Sequence, residues 1–197
     1  MKHEVTTLAT QKALGSSLKK FLAAKTFSKV TVSEIAEDCG VSRKTFYYHF
    51  DDMHALLKWM LEQEAINIVK KFDLIVDYEE AMMFIRDYVE RNDHVLRNIY
   101  NSVSRDALKG FFYADFIDIV RDVVEKTEKE CQITASEDFK DFLCRFYAEA
   151  IAGMLIECIN DRSVRNWEKI TQYIHTIFRA SFPSILRSVG LPAPVKK

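Results

Sequence analysis

The chain has 197 residues and a formal net charge of −1, and 48% of its residues are hydrophobic and 29% charged. These values describe an ordinary soluble globular protein of one large or two small domains. No apolar run approaches the roughly 20 residues that cross a membrane, and the N-terminal segment lacks the apolar core of a signal peptide, so we expect no membrane association and a cytoplasmic location.

Residues that interrupt helices are scarce. The chain contains 3 prolines and 5 glycines, and all of the prolines lie near the C-terminus. So few breakers over this length predict long helices and an all-α fold. The 4 cysteines have no metal-ligand or redox spacing, which favours free thiols in a reducing cytosol. We expect no metal and no cofactor.

The charges are distributed unevenly along the chain. Residues 1–50 hold eight basic and four acidic side chains, a net charge of +4, which leaves −5 for residues 51–197. A basic head before an acidic body suits a nucleic-acid partner, because a phosphate backbone attracts the head and repels the body.

The first predicted helix runs from about Thr7 to Lys25. Its apolar side chains repeat at i, i+4, i+7 and i+8, which gives a stripe that can cover the following segment from behind. The stripe consists of Leu14, Leu18, Phe21 and Leu22. Lys12, Lys19 and Lys20 lie off this stripe, where we expect a solvated face.

Residues 31–50 predict two short helices around a tight turn. Thr31 and Glu34 have the spacing of a capping box, which starts the first of these helices. Gly40 stands where a helix can end in a left-handed residue, and Ser42 can cap the second helix. This arrangement is typical of a helix-turn-helix.

The second of these helices has one apolar and one polar face. Phe46 and Phe50 fall four residues apart and are expected to point inward, which leaves a cationic face for reading DNA. The residues left outside are Arg43, Lys44, Thr45, Tyr47, Tyr48 and His49. For Tyr48, packing against the first helix is an equally good alternative.

The pattern T-V-x-x-I-A-x-x-x-G-V-S-x-x-T-F-Y-x-H-F resembles the DNA-binding domain of the TetR family of bacterial transcription regulators. Its trailing T-F-Y-Y-H-F, with Leu56 and Leu57 shortly after it, is the most specific part. The resemblance implies about nine helices. It also implies a helix-turn-helix domain at 1–52, a helical effector-binding and dimerisation domain at 53–190, and a tail at 191–197.

Roles at the double-stranded DNA operator follow from side-chain chemistry. Arg43 and Lys44 are expected to contact bases in the major groove, because both can donate to guanine acceptors. Thr45 can touch a base or a thymine methyl group. The residues better suited to phosphate are Thr31, Ser33, Tyr47 and His49, and Ser42 and Tyr48 complete the predicted DNA-binding set.

A fourth helix is predicted to begin with a cap at Asp51 or Asp52 and to end at about Phe72. In family terms it is the helix that connects the head to the body and transmits movement between them. Many relatives carry a DNA-phosphate-binding lysine about where Met53 stands. An apolar residue behind two carboxylates therefore predicts weaker DNA binding.

Beyond Asp73 the sequence predicts helices throughout. Their expected ranges are Tyr78 to Arg91, about His94 to Ser102, about Asp106 to Glu130, Ser136 to Asn160 and Val164 to Val189. The last two are unusually apolar, which suggests pairing with a second subunit, although packing within one chain is an alternative. The family resemblance favours a homodimer joined as a four-helix bundle. The interface candidates are Phe139, Phe142, Phe146, Ala150, Met154, Trp167, Ile174 and Phe178.

The resemblance also implies a small-molecule effector inside the body. We expect a repressor that the effector releases from its operator. Candidate pocket residues are Phe84, Tyr88, Phe111, Phe112, Tyr113, Phe116 and Tyr147. An aromatic stripe at helical spacing fits an ordinary core as well as it fits a pocket.

A narrower resemblance is to the subgroup that contains the dihydroxyacetone-kinase operon activator. It depends on Tyr-Tyr-His-Phe at 47–50, Leu-Leu-Lys-Trp-Met at 56–60 and the aromatic run at 142–147. It implies an alternative, in which a protein partner docks on the body and controls a transcriptional activator or adaptor.

An enzyme is the main alternative from another class of protein. The 5 histidines are dispersed, and the sequence contains no H-E-x-x-H, no G-x-S-x-G and no glycine-rich phosphate loop. We therefore predict that the chain is not an enzyme. An adaptor that binds no DNA is the third alternative, and it would lack the steep salt dependence of phosphate contacts.

Overall fold

The computed structural model describes the backbone of residues 2–192 and the side chains of residues 7–191. Within residues 2–192 the helices confirm the predicted all-α class. They are α1 (Lys2–Leu22), α2 (Val32–Asp38), α3 (Arg43–His49), α4 (Met53–Leu61), α5 (Asn67–Val69), α6 (Tyr78–Arg91), α7 (Asp93–Tyr100), α8 (Arg105–Cys131), α9 (Glu137–Asn160) and α10 (Trp167–Val189). A π-helical turn (Glu62–Ile66) joins α4 to α5 end to end, so the part described contains nine continuous helices.

Four predicted helix ends were wrong. The first helix starts before Thr7 and stops at Leu22 instead of Lys25, where the amide of Asn98 donates to the carbonyl oxygen of Leu22 at 2.8 Å. The connecting helix stops at Val69, three residues before Phe72. The last helix starts at Trp167 instead of Val164, because residues 162–164 form a short 3₁₀ turn.

The described chain divides into two compact units. The first comprises the residues up to Lys71 together with Asp87–Leu108, and the second comprises Phe72–Arg86 together with the residues from Lys109 onward. The divisions fall within α6 and α8, so both of these helices contribute to both units. These units are defined by packing, whereas the boundary expected after residue 52 separates two functions, so that boundary stays a prediction.

The core of the first unit forms around α1. Leu14, Leu18 and Leu22 are fully buried, as their spacing predicts, and α1 contacts α2, α3, α4 and α7. Gly15 brings α1 close to α4, since a Cβ atom there would lie 3.0 Å from the ring of Trp59. This packing gives α2 and α3 a rigid support.

The core of the second unit joins α8, α9 and α10. Its most buried members include Val124, Cys144 and Phe182, and Tyr147 packs against Phe182 with ring centroids 4.6 Å apart. A two-residue antiparallel pairing of β1 (Ile133–Thr134) with β2 (Leu191–Pro192) closes one end. Across the described helices, none has both the length and the apolar character needed to span a bilayer.

A buried ion pair also lies in the second unit. The ammonium group of Lys140 is 3.3 Å from the carboxylate of Glu128 and 2.5 Å from that of Glu137. Glu128 also accepts a hydrogen bond from the backbone N–H of Ala135 at 2.7 Å. These bonds satisfy the buried charges, and removal of one partner alone would leave the other uncompensated.

Candidate nucleic-acid interface

The start of α2 carries the predicted capping box. The backbone N–H of Glu34 donates to Thr31 Oγ1 at 3.3 Å, and the backbone N–H of Thr31 donates to Glu34 Oε2 at 2.9 Å. Two donors that the helix leaves unpaired are thereby satisfied. Thr31 and Ser33 both stay exposed at this helix start.

The turn between α2 and α3 depends on Gly40. Its φ of +64° is the left-handed conformation that glycine adopts at little cost. The N–H of Val41 donates to the carbonyl of Ala36 at 2.9 Å, and that of Gly40 to the carbonyl of Glu37 at 3.0 Å. This pair of bonds is the Schellman arrangement, which ends α2 and redirects the chain into α3.

The start of α3 is capped by Ser42. Its Oγ accepts from the backbone N–H of Thr45 at 3.0 Å and lies 2.9 Å from Thr45 Oγ1. The predicted cap is confirmed. The same hydroxyl is therefore engaged in holding the helix start, and Thr45 is half-buried beside it.

The inner face of α3 is aromatic. Phe46 is fully buried and Phe50 nearly so, which confirms that both point inward. The ring of Phe46 lies 6.0 Å from that of Phe50, and Phe50 lies 5.8 Å from the ring of Trp59 on α4. These contacts fix the rotation of α3 about its own axis and so decide which residues face outward.

The outer face of α3 is cationic. Arg43 and Lys44 are exposed, and neither forms an ion pair with any side chain in the described part of the chain. Tyr48 is 70% exposed, so the alternative in which it packs against the first helix is wrong. Tyr47 is also exposed, and His49 is half-buried with its ring 5.0 Å from that of Tyr48.

Lys19 and Lys20 of α1, and Lys25 in the segment after it, are paired within the same unit. Lys19 lies 2.6 Å from the carboxylate of Glu64, and Lys20 pairs with Asp38. Because these cations are already neutralised, they supply less of the positive field than their number indicates. Arg43 and Lys44 of α3 stay outside these pairs and keep their positive charge exposed.

Sequence reasoning missed the network around Asp38. Besides pairing with Lys20, this carboxylate accepts a hydrogen bond from the buried hydroxyl of Ser17 at 2.8 Å. The bonds from Lys20 and then Ser17 lower the pKa of the Asp38 carboxyl. The network ties the end of α2 to α1, and a serine on a leucine-rich helix gave no sequence signal for it.

The start of α4 is capped by Asp52, one of the two predicted residues. Its Oδ1 accepts from the backbone N–H of Ala55 at 2.8 Å. Asp51 is exposed, and Met53 is half-buried at the first position of the helix. The carboxylate that caps α4 thus lies next to Met53, where the sequence predicts the loss of a phosphate contact.

The predicted dimer residues differ in how exposed they are in the single chain. Phe142 and Phe146 are each 59% exposed with their rings stacked 6.4 Å apart, and Ala150 and Met154 are exposed on the same helix. Phe139 and Phe178 instead pack in part against the core of their own unit. Trp167 and Ile174 are half-buried on α10, where the exposed apolar residues include Tyr173 and Ile177.

The predicted effector residues differ in burial and in the side chains they pack against. Phe112 and Phe116 are buried, Tyr147 is buried with its hydroxyl 2.6 Å from Ser181 Oγ, and Phe84 lies against Phe72. Phe111 and Tyr113 are half-buried on α8. A cleft in the second unit is lined by other side chains.

Tyr88 differs from the rest of that set, because it belongs to the first unit. Its hydroxyl donates to Glu64 Oε2 at 3.2 Å. Burial, reinforced by the charge of Glu64, raises the pKa of Tyr88 far above its usual value, so the hydroxyl stays protonated. Tyr88 thus acts as a fixed donor to the carboxylate that also holds Lys19.

Two family models match the chain. The model for bacterial regulatory proteins of the tetR family matches residues 19–60, which include α2 and α3. A second model, for the C-terminal region of transcriptional regulators, matches residues 77–180, more than half of the chain. The two matches therefore include both the cationic helix and the apolar helices of the second unit.

Individual relatives agree with these matches. The chain is 23% identical over 153 residues to the HTH-type dhaKLM operon transcriptional activator DhaS of Lactococcus lactis subsp. lactis. The aligned region covers 78% of this chain and 81% of the relative. A solved structure of the dihydroxyacetone kinase operon activator DhaS has a TM-score of 0.67 at 21% identity and covers 93% of this chain and 99% of its own. A structure of NalD, the secondary repressor of the MexAB-OprM multidrug efflux pump in Pseudomonas aeruginosa, has a TM-score of 0.55 at 16% identity and covers 87% and 95%. The two structures show a shared fold.

Proposed function

Because this chain belongs to the TetR family of bacterial transcription regulators, we propose that it binds a near-palindromic operator as a homodimer, under the control of a signal received by its second unit. Binding of DNA to regulate transcription is the activity of the family, whose regulators are not enzymes. The observation that carries the proposal is the outward position of Arg43 and Lys44, two exposed cations without an internal ion pair in the described chain.

In this proposal α3 lies in the major groove. Arg43 donates to the acceptors of guanine, which can accept two hydrogen bonds from one guanidinium, and Lys44 contacts the same groove. Thr45 touches a thymine methyl group or a base edge. The exposed polar groups nearby set the position of the helix through phosphates. They are Thr31, Ser33, Ser42, Tyr47, Tyr48 and His49.

Dimerisation is required because one short helix reads few base pairs. Two copies related by a two-fold axis read two half-sites about one helical turn or a small multiple apart, which makes the preferred site a near-palindrome. The exposed Phe142, Phe146, Ala150 and Met154 of α9 supply the self-complementary face, together with Tyr173 and Ile177 of α10. Burial of these side chains against a second copy removes apolar surface from water.

Control requires a ligand that prefers one of two shapes. An effector that binds the shape unable to span both half-sites lowers DNA affinity by as much as its preference for that shape. A repressor would then dissociate from its operator, and transcription would begin. We place this activity in the cytoplasm, where bacterial DNA is found.

Activation is the second candidate, and the similarity to an operon activator favours it. An activator binds DNA beside a promoter and recruits RNA polymerase there instead of blocking it. In this case the signal would be a protein partner docked on the second unit instead of a small molecule. In vitro transcription from a template that carries the operator separates the two candidates. Added protein lowers the transcript level if it represses and raises it if it activates.

The proposal is tested by selection of binding sites from random double-stranded DNA, followed by gel-shift titration of the recovered sequence. We expect an inverted repeat, one dimer per site, and an affinity that falls by orders of magnitude between about 50 and about 200 mM salt. Recovery of no preferred sequence, with no retention on DNA at low salt, would favour the adaptor alternative instead.

A further inference from the structure

A cleft of about 480 Å³ opens in the second unit between the start of α6, the C-terminal half of α8 and α10. This volume is within the range of small-molecule sites. None of the aromatic residues that the sequence predicts for an effector pocket lines it. Its chemistry is therefore independent of that prediction.

The floor of the cleft is apolar and fixed. Phe178 and Phe182 lie with ring centroids 5.1 Å apart, and Val123 is buried beside them in the core of the unit. Leu74 and Ile75, from the segment before α6, cover the same floor. Side chains held in this way offer an apolar ligand a preformed surface, which lowers the entropic cost of binding.

One wall of the cleft is an aromatic pair. The rings of Tyr78 and His175 stack at 5.0 Å with an interplanar angle of 20°, and the Tyr78 hydroxyl donates to the carbonyl of Thr171 at 3.1 Å. The pair joins α6 to α10 and gives the wall a flat surface. Because the Tyr78 hydroxyl already donates to Thr171, this wall offers a ligand a flat aromatic surface and not a free hydroxyl donor.

The rim of the cleft is positively charged. Arg179 and Arg187 both line it from α10, eight residues apart, which is about 12 Å along a helix. Both are exposed, and neither forms an ion pair with another side chain of the described chain. Glu130 is the single carboxylate of the lining, so the arginines leave the mouth with an excess of positive charge.

We propose that this cleft binds a small amphipathic anion, with its apolar body on Phe178 and Phe182 and its carboxylate or phosphate held by Arg179 and Arg187. Guanidinium groups suit this role, because their planar donors match both kinds of anion with two parallel hydrogen bonds. The assignment gives the effector a site and a chemical class, and its regulatory meaning rests on the proposed function. The binding itself does not need DNA.

Calorimetric titration of the full chain with ten-carbon probes below their micelle concentrations tests this assignment. The probes are decanoate, decyl phosphate, decanol and decylamine. We expect one site per chain, with at least one of the two anions binding about tenfold or more tighter than decanol and decylamine. Equal affinity for the alcohol and the anions would overturn the assignment, and so would an absence of binding up to about 1 mM.

Variants at the rim identify the site. Arg179→Gln combined with Arg187→Gln should weaken anion binding about tenfold or more and leave decanol unchanged, whereas Arg179→Lys with Arg187→Lys should keep most of it. Lys129→Gln is the matched control, because it removes a neighbouring exposed cation of α8 that does not line the cleft. Anion binding unaffected by the double glutamine variant overturns the assignment. If the chain binds the anion but no operator DNA, the anion site is supported and the proposed regulatory function is refuted.

Discussion

The ammonium group of Lys25 lies 2.6 Å from the carboxylate of Glu34, so the acid that starts α2 is also ion-paired to the segment that follows α1. The same carboxylate accepts the backbone N–H of Thr31 at 2.9 Å. The bond from Lys25, followed by those from Thr31, lowers the pKa of the Glu34 carboxyl. One side chain thus both caps a helix and fixes its position.

This relationship predicts how stability depends on pH. Because the pKa of Glu34 is lower in the folded than in the unfolded state, the unfolded chain binds the proton more readily, and acid favours unfolding. The contribution is complete above the unfolded pKa of about 4.3 and is lost as pH falls through the folded value. Thermal unfolding measured from about pH 7 to about pH 3 should show this loss, and Glu34→Gln should flatten the curve.

The control for this measurement is Glu37→Gln. Glu37 is exposed on the same helix, and its carboxylate accepts no hydrogen bond from any other described residue. The Glu37 variant removes the same charge from α2 and leaves the Lys25 pair in place, so it separates the effect of that pair from the effect of charge alone. Identical pH profiles for the Glu34 variant and the original chain would contradict the role given to the Lys25 pair.

The left-handed turn at Gly40 predicts a purely conformational cost of substitution. A Cβ atom at this position would meet no other atom within 4 Å, so Gly40→Ala creates no clash. Its φ of +64° nevertheless costs an alanine about 1–2 kcal/mol in unfolding free energy. Urea denaturation should reveal this loss, and Gly40→Asn should lose less, because asparagine tolerates the left-handed region better.

Gly110→Ala is the matched control and should have the opposite sign. Gly110 is exposed within α8, and a Cβ atom there would also meet nothing within 4 Å. Alanine in a helix interior is favoured over glycine by about 0.5–1 kcal/mol. Destabilisation of both variants by the same amount would mean that backbone conformation is not what distinguishes Gly40.

The local features of the helix-turn-helix could be predicted from the sequence, because each is determined within a few residues. The box of Thr31 and Glu34 spans three positions, and so does the cap of Ser42 on the N–H of Thr45. Gly40 ends α2 through bonds to carbonyls three and five residues before their donors. Features of this range are independent of how the rest of the chain packs.

The lining of the cleft could not be predicted in this way. Tyr78 and His175 stack although 97 positions separate them, and Arg179 becomes a rim residue only because α10 turns that side toward the cleft. Phe178 shows the same limit, since helical spacing placed it with the interface residues whereas it packs partly inward. When the apolar stripe of a helix is too wide for one neighbouring helix to cover, the sequence does not show which side of the stripe will be buried.

Arg43→Ala is predicted to weaken operator binding and to relax its sequence preference. The exposed guanidinium is free to donate to a guanine, and loss of such a contact costs about 1–3 kcal/mol at the preferred base. Gel-shift titration against the selected operator and a site with one altered base measures both effects. Lys129→Ala, an exposed cation of α8, should change neither, and an Arg43 variant with unaltered affinity and preference would refute this contact.

Met53→Lys is predicted to strengthen DNA binding. The position begins α4 beside the capping Asp52, and a lysine stem can cover the half-buried surface of methionine while its ammonium group reaches a phosphate. One added phosphate contact should raise the affinity and steepen the slope of log affinity against log salt by about 0.9. Met53→Gln provides a similar length without charge, so an equal gain in both variants would rule out the electrostatic explanation.

Glutamate in place of Phe142 and Phe146 is predicted to prevent formation of the proposed dimer. Both rings are exposed in the single chain, so charge at these positions leaves the fold intact, whereas burial of two carboxylates against a second copy is strongly unfavourable. Sedimentation velocity should show a monomer with an unchanged circular dichroism spectrum, and operator binding should be lost with the second half-site contact. Val76→Glu is the control, because Val76 is exposed in the segment before α6 and should leave the dimer intact. A doubly substituted chain that sediments as a dimer would exclude α9 from the interface.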